Sequence, residues 1–352
     1  MTVARKYIVN LQDTAWYHCI SGCVQQKRLL NNNGFDRKGW VELRTQELAS
    51  IFAIDVAGHA VLDSHMHFVL RIDEAKGKGF TNEEVVRRWG ELYPPRNRRG
   101  EILEITDDWV SQKASEADWV KERRRRLMDL GWFHKCLKEP LSRLINKIDG
   151  TRGTIFASRY KSIGILDDAS LLRVMAYVDL NPVAAGVAKL PETSLYTSIR
   201  QRVDNVLREM RLSDLKSVIK AMGVTTIKLA SLETKCWLMP IEDSADFKEI
   251  RKGIIDRITV GHYFLLVDLT GRYFREGKAS IDGEAACIFE RLEMTAEEWI
   301  SQQERLSSHR TFGQYYSTSI KRLQKIAERR GNARVINASG KIMRREQEPP
   351  PS

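Results

Sequence analysis

The segment over residues 59–73 constrains the fold most, because its apolar and polar residues alternate along the chain. A period of two is typical of a β-strand with one buried and one polar face. The buried face of this predicted strand carries Ala60, Leu62, Met66, Phe68, Leu70 and Ile72. The opposite face carries Asp63, His65, His67, Arg71 and Asp73, with Val61 and Val69. Both histidines therefore project from the same side of the strand.

Helical patterns follow this strand. Residues 74–131 are polar, charge-rich and broken by glycine and proline, which indicates a helical insertion with helices over 81–92 and 106–130. Its tryptophans are expected to form a core rather than to stack on bases: Trp89, Trp109, Trp119 and, just after it, Trp132. Residues 154–166 predict another strand. A helix capped by Asp167 or Asp168 is expected to run to about Leu180, where Pro182 stops it.

The charge balance favours a polyanionic partner. Lys and Arg total 57 against 46 Asp and Glu, a net charge of +11, and each neutralised phosphate releases counterions. Two clusters are candidate DNA contacts: Arg123, Arg124, Arg125 and Arg126 in one run, and Arg159 and Lys161 beside Tyr160 on a predicted strand. A basic strand with an aromatic residue can grip single-stranded DNA. A solvated helix or strand face explains either cluster equally well.

The chain carries no sequence signal for a membrane or for secretion. No apolar run approaches the roughly 20 residues that span a bilayer, and the N-terminal segment lacks the apolar stretch of a secretion signal. A cytoplasmic location without a membrane partner is expected. The five cysteines form no pair of metal-binding knuckles, so we interpret them as reduced thiols.

Four residues could carry chemistry. His65 and His67 share one face of a strand, and Tyr177 and Asn181 are four apart on a predicted helix, so they share a helical face. A metal held by two imidazoles and an amide oxygen keeps open positions for phosphate oxygens. Such a metal acts as a Lewis acid on a phosphodiester, and a tyrosine beside it is a competent nucleophile.

Each of these residues also has a purely structural interpretation. The two histidines could be a half-buried surface pair, and Tyr177 could be packed beside Val174 and Met175. Asn181 could be a helix-end residue. Residues 15–30 are predicted to form a first strand and its continuation, and His18 on it is interpreted as a core or hydrogen-bonded histidine in preference to a catalytic one.

Four sequence blocks, in this order and spacing, resemble the REP-associated tyrosine transposases, a group of single-tyrosine HUH transposases. The blocks are WYHCISGC at 16–23, HAVLDSHMHFVLR at 59–71, FASRYKS at 156–162 and MAYVDLNPVAAGVA at 175–188. With Tyr196-Thr197-Ser198, the resemblance spans about residues 5–200.

The resemblance implies a ferredoxin-like α+β domain with an antiparallel sheet over residues 1–200. Beyond it, the sequence pattern itself predicts a mainly helical accessory region over 201–345 and a disordered tail over 346–352. It implies that Tyr177 is the nucleophile and that His65, His67 and Asn181 hold a divalent metal, Mg²⁺ or Mn²⁺. The reaction it implies is cleavage and rejoining of single-stranded, hairpin-containing DNA through a 5′-phosphotyrosine.

The chain departs from the family pattern mainly at expected DNA contacts. Ser64 stands where members often carry Asn, Ala184 where they often carry Arg, and Gly22 lies in a block often richer in arginine. A DNA-binding protein derived from a transposase, which recognises hairpins without cleaving them, is therefore the main alternative. An RNA-binding module on the same sheet would leave the spacing of the four residues unexplained. The sequence leaves open the DNA target, the metal's identity and whether the protein is a monomer or a homodimer.

Overall fold

The structure is a computed structural model, and it describes residues 9–31, 34–208, 236–241, 244–246, 249–255, 258, 260–273, 315–316, 335–336 and 342–343. The predicted tail at 346–352 and Cys287 lie outside this part of the chain. The described cysteines, Cys19, Cys23, Cys136 and Cys236, are buried and form no disulfide among the described residues. None of the described helices is long and apolar enough to cross a membrane.

One mixed sheet organises the fold. Its strands are β1 (Trp16–Gly22), β2 (Ile54–Val61), β3 (His65–Ile72), β4 (Lys161–Ile165) and β7 (Tyr315–Tyr316), in the order β2-β3-β1-β4-β7. The first four are antiparallel, and β7 pairs in parallel with β4 at the edge. Two hairpins of short strands, β5 (Ser244–Asp246) with β6 (Glu249–Arg251) and β8 (Val335–Ile336) with β9 (Ile342–Met343), complete the described strands.

The four antiparallel strands and the helices that connect them follow one another along the chain in the order βαββαβ. The described helices are α1 (Arg37–Ile51), α2 (Glu74–Gly79), α3 (Asn82–Leu92), α4 (Asp107–Ala114), α5 (Ala117–Leu127), α6 (Leu130–Ile148), α7 (Asp168–Ala184), α8 (Ser198–Arg208) and α9 (Val260–Tyr273). With α1 and α6 as the two crossovers, the first four strands have the ferredoxin-like arrangement, so the predicted α+β fold is confirmed.

Two hydrophobic cores lie on opposite faces of the sheet. The first packs α1, α6 and the helices of the insertion against residues such as Phe68 and Leu70. The second packs α7, α8 and α9 against Val69, Ala60 and Ile165. Trp89 is buried in the first core, and Trp109, Trp119 and Trp132 pack against it, which confirms their predicted core role.

The predicted single strand over 59–73 is a hairpin, because the chain turns at Asp63 and Ser64 and the Leu62 amide donates to the His65 carbonyl (2.8 Å). The turn reverses the alternation before it. Ala60 and Leu62 therefore lie in the second core, and Val61 lies in the first, opposite to their predicted faces. The assignments from Met66 to Ile72 hold, and His65 and His67 lie on the face toward α7.

Two helix boundaries also differ from prediction. Pro182 does not stop α7, which runs on to Ala184, because the proline lies in the last turn and only one amide donor is missing. Residues 106–130 form two helices, since α4 ends at Ala114 and α5 starts at Ala117. The predicted strand over 154–166 is regular only over Lys161–Ile165.

The insertion begins and ends at one point of the fold. The Asp73 amide, just before α2, donates to the Ala53 carbonyl (3.0 Å), and the Ala53 amide donates to the Leu127 carbonyl at the end of α5 (3.0 Å). The helices between them pack onto the first core.

The predicted domain boundary at residue 200 falls inside α8, which starts at Ser198. Apolar residues from both sides of it share the second core, including Val174 and Leu180 before it and Ile254 and Leu266 after it. The Met239 amide also donates to the Val56 carbonyl of β2 (2.9 Å). The division of the chain at residue 200 remains a prediction.

Candidate active site

The sheet and α7 bring the four predicted residues together. Helix α7 begins at a cap in which the Asp167 side chain accepts from the Ser170 amide, and it packs across β2 and β3. The rings of His65 and His67 have centroids 4.9 Å apart, and those of His67 and Tyr177 are 5.8 Å apart. The amide nitrogen of Asn181 lies 3.4 Å from His67 Nε2. The two histidines of β3 and the tyrosine and asparagine of α7 therefore meet at one place.

Both histidines are oriented through their Nδ1 atoms. His67 Nδ1 lies 3.0 Å from Nε2 of His18, a buried neighbour on β1, and the two rings stack with centroids 5.2 Å apart. His65 Nδ1 lies 3.0 Å from the Ser64 hydroxyl. A partner at Nδ1 fixes the ring orientation, which is how outer groups commonly support metal-binding histidines.

Burial sets the protonation of the site. Desolvation lowers the pKa of His18 to about 3, so this ring is neutral at neutral pH. Desolvation also raises the pKa of Tyr177, and a hydrogen bond with Asn181 opposes that rise. Tyr177 is only 8% exposed. The phenol therefore stays protonated until positive charge arrives nearby.

The residues present fit a divalent metal. The 3.4 Å separation of the Asn181 amide from His67 Nε2 is what two ligands have when each lies about 2.1 Å from one ion at a roughly tetrahedral angle. Amide oxygen and nitrogen exchange places when the amide turns over. Within the described residues no group of three or more His, Cys, Asp or Glu side chains could hold a metal. The predicted set differs from such a group because an amide is its third ligand.

A buried network below the site holds α7 in place. Asp179, between Tyr177 and Asn181 in sequence, is fully buried and accepts from the Ser198 hydroxyl (2.5 Å) and the Ile199 amide (2.9 Å). It also accepts from the Tyr263 hydroxyl of α9. Burial raises the pKa of Asp179, and these donors oppose that rise. The helix that carries the tyrosine is thus tied to both α8 and α9.

One row of paired residues runs across the sheet from His67 to an exposed cation. His67 pairs with Ile20 on β1, and Ile20 pairs with Lys161 on β4. Directly paired residues in antiparallel strands point to the same face, and strands lie about 4.8 Å apart. Lys161 therefore lies on the face of His67, two strands or about 10 Å away. Arg159 is exposed just before β4.

The next row of the sheet is open. Gly22 pairs with His65, and a Cβ atom at Gly22 would meet nothing within 4 Å. Ile20 is only partly buried. We call the surface formed by Gly22, Ile20 and Lys161 the shelf. It leads from the histidines to the β4 edge without an obstructing side chain at Gly22.

The predicted arginine run makes contacts within the chain. Arg123 lies over the Trp119 ring (4.5 Å), and Arg124 donates to Asn82 Oδ1 (3.0 Å) and to backbone carbonyls in the insertion. Arg125 and Arg126 pair with Glu122, whose pKa falls to about 2 through these hydrogen bonds. DNA binding by this run remains a prediction, and its placement shows a packing role.

Sequence reasoning missed two residues of the site, Ser64 and Asp179. The prediction of a core or hydrogen-bonded histidine at His18 is confirmed, but its partner, His67, depends on pairing between distant strands. Ser64 stands out in the sequence only as a departure from the family pattern, which does not indicate its contact with His65. Asp179 had one available signal, its position between Tyr177 and Asn181 within an apolar helix.

Comparisons with known proteins add little. Neither a family model nor a curated protein matches the sequence. A solved structure of a REP-associated tyrosine transposase bound to a REP hairpin matches with 13% identity and a TM-score of 0.31, over 58% of this chain and 86% of that chain. At this level of similarity the likeness supports no functional conclusion about the present chain.

Proposed function

We propose that this protein cleaves and rejoins single-stranded, hairpin-containing DNA, with Tyr177 as the nucleophile and a divalent metal held by His65, His67 and Asn181. The observation that carries the proposal is the convergence of these four residues, with the Asn181 amide 3.4 Å from His67 Nε2 and the Tyr177 ring 5.8 Å from the His67 ring. A bound Mg²⁺ or Mn²⁺ would act there as a Lewis acid on a phosphodiester oxygen.

Tyr177 performs the covalent step. Its hydroxyl oxygen forms a bond to the phosphorus while the bond from phosphorus to the 3′ oxygen breaks. The phenol gives up its proton to solvent, and the leaving 3′ oxygen takes one up. The product is a 5′-phosphotyrosine and a free 3′-hydroxyl. A 3′-hydroxyl of another DNA end reverses the step, so the tyrosine ester conserves the bond energy and no nucleotide hydrolysis is needed.

The chain's other residues position the substrate. His18 and Ser64 hold the histidine rings, and Asp179 holds the helix of the nucleophile. Lys161 meets a phosphate of the strand that crosses the shelf, since a cation gripping the backbone is the usual means of binding a single strand. The site lies on a sheet face beside a helix, and a paired duplex cannot bend a phosphate into it. A preference for single strands follows.

The alternative, hairpin binding without cleavage, makes a different prediction for the same residues. The hydrogen bonds that orient His67 and His65 would then have no catalytic use, and binding would depend on basic residues such as Arg159 and Lys161. The convergence of the nucleophile with three potential ligands favours cleavage.

The test is covalent trapping. We expect wild-type protein incubated with a single-stranded hairpin oligonucleotide and Mn²⁺ to give a DNA-linked protein band, and Tyr177→Phe to give none. His65→Ala and His67→Ala should lose the band while hairpin affinity stays within about tenfold, since binding depends mostly on phosphate contacts. Tyr93→Phe, in the insertion and away from the proposed DNA contacts, is the matched control and should retain it. A band of equal strength from Tyr177→Phe, or one that persists in chelator, would refute the proposal.

A further inference from the structure

A second concave surface lies on the other side of the sheet from Tyr177. It is a groove of about 630 Å³ between α6 and residues 153–160. Pockets of roughly 300–1,000 Å³ are the size that accommodates small ligands. The groove is therefore large enough for one or two nucleotides of an extended strand.

Two hydrogen bonds hold the groove open in this shape. Lys138 Nζ on α6 donates to the Ser158 carbonyl (2.9 Å) and lies over the Phe156 ring (4.5 Å). Asn146 on α6 donates to the Gly153 carbonyl (2.9 Å). Both ends of the 153–160 segment are thus fixed to the same helix. The groove exists before any ligand binds, which reduces the entropy cost of binding.

The charge of the lining favours an anion. Four cations, Lys135, Lys138, Arg143 and Arg159, face one acid, Glu139. Arg143 and Glu139 form an exposed ion pair, and Lys135 lies over the Trp132 ring (4.6 Å). Arg159 is exposed, and within the described residues its guanidinium has no ion pair or hydrogen bond. An excess of positive charge with an unpaired guanidinium matches a phosphate-bearing ligand.

The aromatic residues of the groove form its floor. Tyr160 is buried and stacks on His134 with centroids 4.0 Å apart, and Phe156 lies under Lys138. These rings are not free to stack on bases. The groove is therefore suited to the sugar-phosphate backbone, and we expect little preference among base sequences.

The groove is joined to the candidate active site through the end of β1. The Ala157 amide donates to the Gly22 carbonyl (3.0 Å), and Gly22 is the strand partner of His65. Arg159 in the groove and Lys161 on the shelf are two residues apart in sequence, and the residue between them, Tyr160, is buried. A strand that leaves the shelf past His65 reaches the groove by passing around this end of the sheet.

We propose that this groove binds the phosphate backbone of single-stranded DNA flanking the cleaved hairpin, a proposal that rests on the function proposed above. Arg159 and Lys135 bind phosphates, while Lys138 and Asn146 keep the groove in shape. The site would thereby distinguish a hairpin with single-stranded flanks from the hairpin alone.

The experiment compares two oligonucleotides, a bare hairpin and the same hairpin with ten nucleotides added on each side. The full chain carrying Arg159→Gln and Lys135→Gln is compared with a control carrying Lys147→Gln and Lys121→Gln, two exposed lysines outside the groove. Affinity is measured by fluorescence anisotropy at several salt concentrations, and folding by thermal unfolding.

We expect the groove variant to bind the flanked hairpin about tenfold more weakly, with the bare hairpin unaffected. The salt slope for the flanked hairpin should fall by about 1.4, because each single-strand phosphate contact contributes about 0.7. Equal losses for both oligonucleotides, no loss beyond the control, or a loss confined to an RNA strand of the same sequence would each overturn the proposal. If wild type forms no covalent adduct while these losses occur, the cleavage proposal fails and the groove assignment stands.

Discussion

The Tyr263 hydroxyl on α9 donates a hydrogen bond to the carboxylate of Asp179, a residue two positions from both Tyr177 and Asn181 on α7. Both partners are fully buried. A contact from a region that carries none of the four predicted site residues therefore holds the helix that presents the proposed nucleophile and one proposed ligand.

Removing the Tyr263 hydroxyl should lower the yield of the covalent adduct more than it lowers the affinity for DNA. Tyr263→Phe leaves a buried carboxylate with one fewer donor, which costs about 1–3 kcal/mol of unfolding free energy. A shift of about 1 Å in α7 can reduce the rate on the order of a hundredfold. We expect a lower yield of the DNA-linked band with hairpin affinity retained. Tyr93→Phe removes a hydroxyl of the insertion that contacts Cys136 on α6, and it should leave the band unchanged. A normal adduct yield in Tyr263→Phe would show that the contact does not position α7.

Truncation after residue 205 should prevent stable folding. The missing part supplies Ile254, Val260 and Leu266 to the second core, and burying each such side chain contributes about 1.5–3 kcal/mol. A chain ending after residue 273 keeps these contacts and should unfold cooperatively. Thermal unfolding followed by near-UV circular dichroism compares the two. Cooperative unfolding of the shorter chain, with a wild-type adduct yield, would support an independent domain ending near residue 200.

His18 should control metal affinity without touching DNA. His18→Leu removes the partner of His67 Nδ1, and loss of such an outer group commonly weakens metal binding about 10- to 100-fold. Ser64→Ala should have a smaller effect, because His65 is partly exposed and a solvent molecule can take the place of the Ser64 hydroxyl. Calorimetric titration with Mn²⁺ measures both affinities. An unchanged Mn²⁺ affinity in His18→Leu would count against His67 as a ligand.

A larger side chain at Gly22 should block the shelf. Because the added atoms meet no protein neighbour, Gly22→Leu should leave the melting temperature unchanged or raise it, since glycine weakens a strand. Single-stranded DNA affinity and adduct yield should both fall by about tenfold or more. Gly79→Leu, at another glycine with open space, is the control. Retained DNA affinity in a folded Gly22→Leu protein would mean that DNA takes another path.

An experiment can decide whether the arginine run packs within the insertion or binds DNA. Arg124→Gln removes hydrogen bonds to Asn82 and to backbone carbonyls in the insertion, so the unfolding free energy should fall by about 1–2 kcal/mol. DNA affinity should change no more than in Lys121→Gln, a neighbouring exposed residue. Unchanged stability with weakened DNA binding would assign Arg124 to phosphate contact.

Local patterns predicted the elements better than their connections. Alternation placed His65 and His67 on one face, and helical spacing placed Tyr177 and Asn181 on another, because both depend only on neighbours in sequence. The same alternation failed at Ala60 and Val61, since a tight turn reverses the faces while the hydrophobicity continues. The contacts of Asp179 with Ser198 and Tyr263 join distant parts of the chain. No local periodicity encodes such contacts.

The return of the insertion to Ala53 has an evolutionary and practical consequence. Asp73 and Leu127 both form backbone hydrogen bonds with Ala53, so the two ends of the inserted segment already lie next to each other. A short linker could replace it without rerouting any strand of the sheet. Its removal would uncover the apolar surface that Val85 and Val86 now cover, and a few polar substitutions there would complete a smaller protein. Chains of very different length could thus share one unchanged sheet face with the four candidate residues.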